Sequence, residues 1–213
     1  YSVKQERADK LDFEKNNLEL ESKILKIFHD KQINFIPEIV YYDPNSKSIC
    51  YKYIKGTPLD VVWPNLTENQ RENIMVELGN LHHAIHSSIS IKEAEQLGIN
   101  VNYVSMEDEF AQYKTAVSKA IIGTDPFHEF LNKVETYLDK IDKKEPITGV
   151  LHGDLHQGNI LVNEGHLSGI VDFGDCVVGD VNRDFNHYAR HYADYLDVIS
   201  GSYERVSSLS IIL

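Results

Sequence analysis

Two short apolar runs in the last third of the chain, Ile160 to Val162 and Leu167 to Val171, are joined by Asn163-Glu164-Gly165-His166. Turn-forming residues between two apolar runs predict a β-hairpin. Ahead of it lies a polar loop within Leu151-His152-Gly153-Asp154-Leu155-His156-Gln157-Gly158-Asn159-Ile160, and behind it comes Ile170-Val171-Asp172-Phe173-Gly174-Asp175. A hairpin returns its second strand to the point where its first began, so Asp172 arrives at the mouth of the loop that carries Asp154 and Asn159. On a loop, neither helical nor strand periodicity dictates where those two side chains point. Any fold open to this chain must therefore accommodate three oxygen-bearing side chains gathered at one end of one hairpin.

Around that hairpin the sequence is mostly helical. From Asp12 to Asp30 the apolar residues Leu18, Leu20, Ile24, Ile27 and Phe28 mostly recur at helical spacing, and Pro37 stops the pattern. Ile39 to Tyr42 and Ser48 to Ile54 flank Asp43-Pro44-Asn45-Ser46, which predicts another hairpin ending near Lys55-Gly56. Thr67 and Gln70 form a capping box ahead of Ile74, Met75, Leu78, Leu81 and Ile85 on one helix face. Glu107 to Ile121 reads as helix, and Asp125-Pro126 opens a further one through Phe127, Leu131, Val134, Leu138 and Ile141. Phe185, Tyr188, Tyr192, Tyr195, Leu196 and Ile199 make an aromatic stripe at helical spacing, which is read as a helix packed on the core rather than a cofactor stack. The expected class is α+β, with a β-rich N-terminal part carrying one helix over residues 1–55 and a mainly helical remainder over 56–213.

Composition narrows the function classes. The chain has 213 residues, 42% hydrophobic and 25% charged, which supplies a real core and excludes a disordered or fibrous protein. With 21 Lys and Arg against 33 Asp and Glu, its formal charge of -12 repels polyphosphate backbones. Sequence-independent nucleic-acid binding is thereby excluded, and a cationic small molecule is favoured as partner. No run approaches the roughly 18 to 20 apolar residues that cross a bilayer, and no charged region followed by an apolar run stands at the N-terminus. Neither a membrane partner nor an export signal is expected. Cys50 and Cys176 lie far apart, so no disulfide framework is implied and a reducing, cytoplasmic compartment fits. Tyr1-Ser2-Val3-Lys4 reads like the middle of a strand, and further residues are expected ahead of it.

The trio at the hairpin mouth suits one chemistry in particular. Phosphoryl transfer needs metal ions to neutralise phosphates and a carboxylate to orient and deprotonate an attacking hydroxyl. Asp154, Asn159 and Asp172 can supply both, and their hard oxygen atoms suit Mg²⁺ better than zinc or copper.

His152-Gly153-Asp154 through Asn159, taken with Asp172-Phe173-Gly174, resembles the catalytic loop and metal-binding motif of the protein-kinase-like superfamily. The His-Gly-Asp-Leu-His form is similar to that of the aminoglycoside phosphotransferase family, and Gly56-Thr57-Pro58-Leu59, Leu81 to His86 and Gly179-Asp180 sit where that family has similar words. The resemblance implies a protein-kinase-like bilobal fold, with a partial β-rich N-lobe, a mainly helical C-lobe, and nucleotide and Mg²⁺ between them. It implies transfer of the terminal phosphoryl group of ATP or GTP to a hydroxyl of a small molecule. An aminoglycoside is the first candidate acceptor, with choline, homoserine or a macrolide-like compound as alternatives. Carried over residue by residue, Asp154 would be the catalytic base and Asn159 and Asp172 the Mg²⁺ ligands. Glu21 would be the helix glutamate that pairs with a phosphate-contacting lysine, for which Lys4 is the candidate. Tyr51 to Ile54, with Tyr53 between, would form the hinge against which adenine or guanine stacks. Two strands and a phosphate-covering loop normally precede the lysine strand, and many relatives run on past the position of Leu213, so the expectation is either a piece of a longer protein or a reduced member with an impaired nucleotide grip. A catalytically silent binding module that keeps the catalytic loop is therefore the competing class, although the intact trio argues for an enzyme.

Several other constellations compete for attention. His152 and His156, His82 and His86, and His187 and His191 are each spaced to meet on a helix face, as zinc-binding pairs do, yet none has a third ligand at a recognisable spacing. Packing or surface placement is the expectation for His82, His83 and His86, and bracing of the loop for His152. Serine hydrolysis is disfavoured because no Gly-x-Ser-x-Gly elbow occurs. Asp175, Asp184 and Asp194 are candidates to line a site for a cationic substrate, with a solvated acidic face as the alternative, and Asp180 is a candidate structural hydrogen-bonding residue.

Overall fold

The computed structural model describes residues 1–5, 17–99, 101, 115 and 147–206. The chain forms two compact units, residues 1–101 with 147–213 and residues 102–146, and the elements below belong to the first. The helix expected through Phe127 to Ile141 lies outside the described residues, as do the one over Glu107 to Ile121 except for Thr115, which is helical, and the start, from Asp12, of the first expected helix.

Strands β1 (Ser2–Gln5), β2 (Ile39–Asp43) and β3 (Ser48–Tyr51) form an antiparallel sheet in the order β1-β3-β2. The Asp43 carboxylate closes the β2–β3 turn by accepting the Asn45 amide at 2.9 Å and the Ser46 hydroxyl at 2.6 Å. Lys4 sits directly opposite Ile49, which is fully buried, so strand alternation turns Lys4 to the inner face. Helix α1 (Leu18–Asp30) is capped by Asn17, whose side chain accepts the Leu20 amide, and buries Leu18, Glu21, Ile24, Leu25 and Phe28. One residue on that buried face is an acid.

The strand expected to run from Ser48 to Ile54 stops at Tyr51. Beyond it the chain leaves the sheet, and Ile54 packs against Gly169, where an added Cβ would lie 2.9 Å from the Ile54 side chain. Strand β4 (Thr57–Pro58) and helix α2 (Leu59–Val62) then lead to α3 (Glu68–His86). Both halves of the Thr67–Gln70 capping box are made, and α3 buries Ile74, Met75, Leu78, Leu81, His82, Ile85 and His86. A second capping box, Ser90 with Glu93, opens α4 (Ile91–Leu97), which the sequence reading did not mark.

The hairpin at the centre of the sequence argument forms as β6 (Ile160–Asn163) and β7 (His166–Ile170). Both turn residues have positive φ, Glu164 at 54° and Gly165 at 81°, the sign that a tight two-residue hairpin turn requires. β6 also pairs with β4, whereas β5 (Thr148–Leu151) pairs with β8 (Val177–Asp180) in a separate ladder. The loop from β5 to β6 and the return from β7 to β8 therefore both connect the same two small sheets, which lays them side by side.

The aromatic stripe is not one helix. It divides into α5 (Asn182–His191) and α6 (Leu196–Val206) around Tyr192, whose φ of -137° is not helical. Tyr192 and Tyr195 both pack edge-on against Trp63, at 4.5 and 5.1 Å between ring centres. Helix α6 lies against α3 at Gly79, where an added Cβ would stand 2.4 Å from the Ile199 carbonyl oxygen. Among the described residues no helix is long and apolar enough to cross a membrane.

Candidate active site

Lys4 and Glu21 meet. The Lys4 Nζ lies 2.9 Å from Glu21 Oε2 and 2.5 Å from Asp172 Oδ1, so one ammonium joins β1, α1 and the turn that follows β7. Glu21 is fully buried, and the Tyr51 hydroxyl reaches its second oxygen at 3.4 Å. Burial works against the Lys4 ammonium, but Glu21 and Asp172 outweigh it and hold its pKa above the ordinary value. Burial, with the negative charges of Glu21 and Asp172, pushes the Tyr51 phenol up, so Tyr51 stays a neutral donor.

Asp172 itself takes a left-handed backbone conformation, φ 71° and ψ 64°, which a non-glycine residue adopts only where its surroundings impose it. Phe173, directly after it, is fully buried and packs edge-on against Phe28 of α1 and at a tilt against His152, at 5.5 and 4.7 Å between ring centres. The aromatic side chain anchors the turn, and the carboxylate is left at the cleft, where its side chain is 38% exposed.

The loop that carries Asp154 is held from within. The Asn159 side chain lies 3.0 Å from the Asp154 carbonyl oxygen, and a carbonyl only accepts, so the amide nitrogen must face it and Oδ1 is left for a cation. The Val171 amide donates to the Asn159 carbonyl, and His152 Nε2 donates to the Val171 carbonyl, both at 2.9 Å. His152 is thereby fixed in its Nε2–H form, with Nδ1 facing the Asp154 amide at 3.4 Å. Asp154 is exposed, while His152 and Asn159 are buried beneath it. Gly153 has a φ of 86°, and an added Cβ would stand 2.0 Å from the Asp175 carbonyl oxygen, so only glycine permits the loop and the return strand to lie this close. An amide oxygen from Asn159 and the carboxylate of Asp172 form a hard donor set that fits Mg²⁺.

Asp184 is buried rather than on a solvated acidic face. It is 4% exposed and lies under the loop, where its Oδ2 accepts the His152 amide at 2.8 Å and its Oδ1 faces the Gly153 amide at 3.4 Å. His86 Nε2 is 3.1 Å from the same Oδ2. Burial alone would raise the Asp184 carboxyl, but the His86 hydrogen bond and the neighbouring imidazoles bring it down to about 2. Asp175 is exposed beside the loop, and Asp194 is exposed on the turn between α5 and α6. Tyr53 is 63% exposed, and Ile54 packs on β7. Asp180, two residues ahead of α5, accepts the Asn182 amide at 3.0 Å and the Asn182 side-chain nitrogen at 2.8 Å.

The histidines pack. His82 is 1% exposed, its Nε2 lies 2.9 Å from the Tyr188 hydroxyl, and burial first, then the neighbouring His86, brings its pKa down to about 3. His187 Nε2 accepts the Gln157 amide at 3.2 Å, and His156 Nδ1 accepts the Gly158 amide at 3.1 Å, so each steadies the loop. Among the described residues His82, His86 and Asp184 have potential metal-binding atoms within 4.8 Å of one another. The pairing of α3 with Asp184 is the feature that sequence reasoning missed. Its one available sign was that His82 and His86 fall on the apolar face of a capped helix, the face that is buried.

The geometry invites comparison with known proteins. Residues 4–203 match the model of the phosphotransferase enzyme family. The chain belongs to that family. Its fold is protein-kinase-like, as the solved structures similar to it show. The GDP and kanamycin complex of APH(2")-IIia aligns with a TM-score of 0.78 at 16% identity, covering 97% of this chain and 78% of that one. The streptomycin-ATP-APH(2")-IIa ternary complex aligns at 0.66 and 23% identity, covering 97% and 71%. Macrolide 2'-phosphotransferase MphH from Brachybacterium faecium, an apoenzyme, aligns at 0.68 and 19% identity, covering 88% of this chain and 65% of its own. The phosphotransferase chain thus spans about two-thirds of that macrolide enzyme. No curated protein matches the sequence.

Proposed function

We propose that this phosphotransferase is a small-molecule kinase that moves the terminal phosphoryl group of ATP or GTP to a hydroxyl of an aminoglycoside-like polycation. The observation that carries the reading is Lys4 Nζ bridging Glu21 and Asp172, residues supplied by three separate parts of the chain. An ammonium clamped by one fully buried carboxylate and one at the cleft has its charge fixed where a phosphate can meet it. Residues 1–55 act as the N-terminal lobe and 56–213 as the helical lobe, with the Tyr51 to Ile54 segment as the hinge for the purine.

Asn159 Oδ1 and the Asp172 carboxylate would hold Mg²⁺, which supplies charge neutralisation of the phosphate oxygens when bound. Asp154, exposed at the head of a loop locked by Asn159 and His152, orients the acceptor hydroxyl and takes its proton. Lys4 meets the nucleotide phosphates, and Glu21 keeps it in place. The reaction site works in the cytoplasm, away from nucleic acid and membrane. A polycationic acceptor is supported by the formal charge of -12 and by the kanamycin and streptomycin that similar structures contain.

Calorimetric titration with Mg²⁺-ATP and Mg²⁺-GTP, with and without metal, tests the nucleotide site. Saturable, metal-dependent binding near one site per chain is expected, followed by turnover with kanamycin that Asp154→Asn abolishes while the fold is preserved. Equal residual turnover in both proteins refutes Asp154 as the base. Turnover with a macrolide and none with kanamycin moves the acceptor to the class of the macrolide enzyme.

A further inference from the structure

A chain of buried hydrogen bonds leads from the far side of α3 to the backbone of the loop that carries Asp154. The Tyr203 hydroxyl on α6 is 3.2 Å from His86 Nδ1, and His86 Nε2 is 3.1 Å from Asp184 Oδ2. That oxygen also accepts the His152 amide at 2.8 Å, with Gly153 facing Oδ1 at 3.4 Å. The directions along this chain are dictated by chemistry. A carboxylate can only accept, so His86 Nε2 carries a proton, and the Tyr203 hydroxyl can donate to Nδ1 and hold the ring in that form. His86 and Asp184 are 3% and 4% exposed, so water does not compete for these bonds.

We infer that His86 is a positioning residue for the catalytic loop: it orients the Asp184 carboxylate, which in turn pins the two amides immediately before Asp154. Three observations support this over packing alone. Asp184 already receives backbone donors from the loop, so any rotation of its carboxylate displaces His152 and Gly153 directly. Gly153 has no room to adjust, because the Asp175 backbone occupies the space its Cβ would need. His152 is tied at its other end to Val171, next to Asp172, so a shift at Asp184 reaches both the Asp154 loop and the turn that bears Asp172. His82 is not in this line, since its ring bonds to Tyr188 rather than to Asp184. The inference rests on the proposed phosphotransfer only in its consequence for turnover. The positioning itself can be measured without it.

The decisive experiment is amide hydrogen exchange, read on the segment around His152 and Gly153, in the wild type, His86→Leu, His86→Gln and Tyr203→Phe. Leu fills the space of the ring without a donor, and Gln keeps a donor that reaches Asp184. His86→Leu is expected to speed exchange of the His152 and Gly153 amides on the order of tenfold or more, while β6 and β7 keep their protection. His86→Gln restores most of the loop protection, and Tyr203→Phe gives a smaller, intermediate change that survives even where His86→Leu folds poorly. Turnover of Mg²⁺-ATP or Mg²⁺-GTP with kanamycin should fall on the order of tenfold or more in kcat for His86→Leu, with the nucleotide KM within about twofold. Wild-type exchange in all three variants, or a uniform loss of protection across β6, β7 and the loop together, overturns the inference. A wild-type protein that turns over no nucleotide while loop exchange still follows the predicted order refutes the phosphotransfer reading and leaves the positioning role standing.

Discussion

Acid should weaken this fold from about pH 6.5 downward, and His82 is the reason. Its ring is buried with its Nε2 at Tyr188, and its pKa of about 3 stands far below the 6.5 of a free histidine. Below pH 6.5 the unfolded chain binds a proton at this residue that the folded chain refuses, so stability falls as pH falls until the folded value is reached. At pH 5.5 the unfolded imidazole is about ten-to-one protonated, which removes on the order of 1 kcal/mol relative to pH 7.5, and roughly 3 kcal/mol is gone by pH 4.5. Asp184 works in a separate window. Its pKa is lowered from 3.8 to about 2, so its contribution is present above the unfolded value and disappears only as pH drops through that lower range. His187 is lowered to about 4, but it is partly exposed and its share is correspondingly smaller. The perturbation is His82→Leu, and the assay is urea unfolding at pH 7.5, 6.5 and 5.5, followed through the fluorescence of Trp63, the one tryptophan. Leaving Tyr188 without its partner lowers stability at pH 7.5 by about 1–3 kcal/mol. The informative quantity is the change with pH, which should shrink by on the order of 1 kcal/mol between pH 7.5 and 5.5. A variant whose stability falls with acid as steeply as the wild type's refutes the assignment of that proton to His82.

Two further outcomes follow from the site. Lys4→Met leaves Glu21 buried without its cation, and unfolding should show a loss of about 3 kcal/mol, since removing one partner of a buried pair costs about 3–5 and Lys4 is partly exposed. Mg²⁺-nucleotide binding measured by calorimetry should weaken in the same variant, and unchanged affinity would remove Lys4 from the nucleotide site. Gly153→Ala must relieve both a φ of 86° and a contact at 2.0 Å with the Asp175 backbone, so a loss of about 2 kcal/mol in chemical denaturation is expected together with loss of turnover. Full activity in that variant would show that the loop and the return strand can separate without consequence.

What could be read directly from the sequence was what short-range chemistry determines. The β6–β7 hairpin follows from its turn residues, and α3 from the Thr67–Gln70 box, because in each the signal and the structure lie within a few residues. The Ser90–Glu93 box was equally local and opens α4, yet it precedes a segment too short to show a periodic apolar face. Where tertiary packing decides, the sequence was silent or misleading. Periodicity alone does not distinguish Glu21 from an exposed helix acid; only the family resemblance pointed to its pairing with Lys4, and its burial depends on that lysine arriving from another strand. The strand ending at Tyr51 has apolar and aromatic residues beyond it, but Ile54 finds its partner in β7 instead of the sheet. Asp184 reads as one more acid in an acidic chain, and only the fold shows that two backbone amides and an imidazole surround it.

The pairing of β5 with β8 also governs how the protein reaches its working state. A hairpin such as β6–β7 can close in about 1–10 μs, because its strands are neighbours in the chain. The loop that carries Asp154 has no such shortcut: it is held in place only when Thr148–Leu151 finds Val177–Asp180 across the whole intervening hairpin. Contacts that span more sequence form later, since the entropy of closing the larger loop must be overcome before any of their energy is gained. A refolding chain should thus regain its hairpin and capped helices first and the loop that carries Asp154 last. During that interval it holds much of its secondary structure while unable to work.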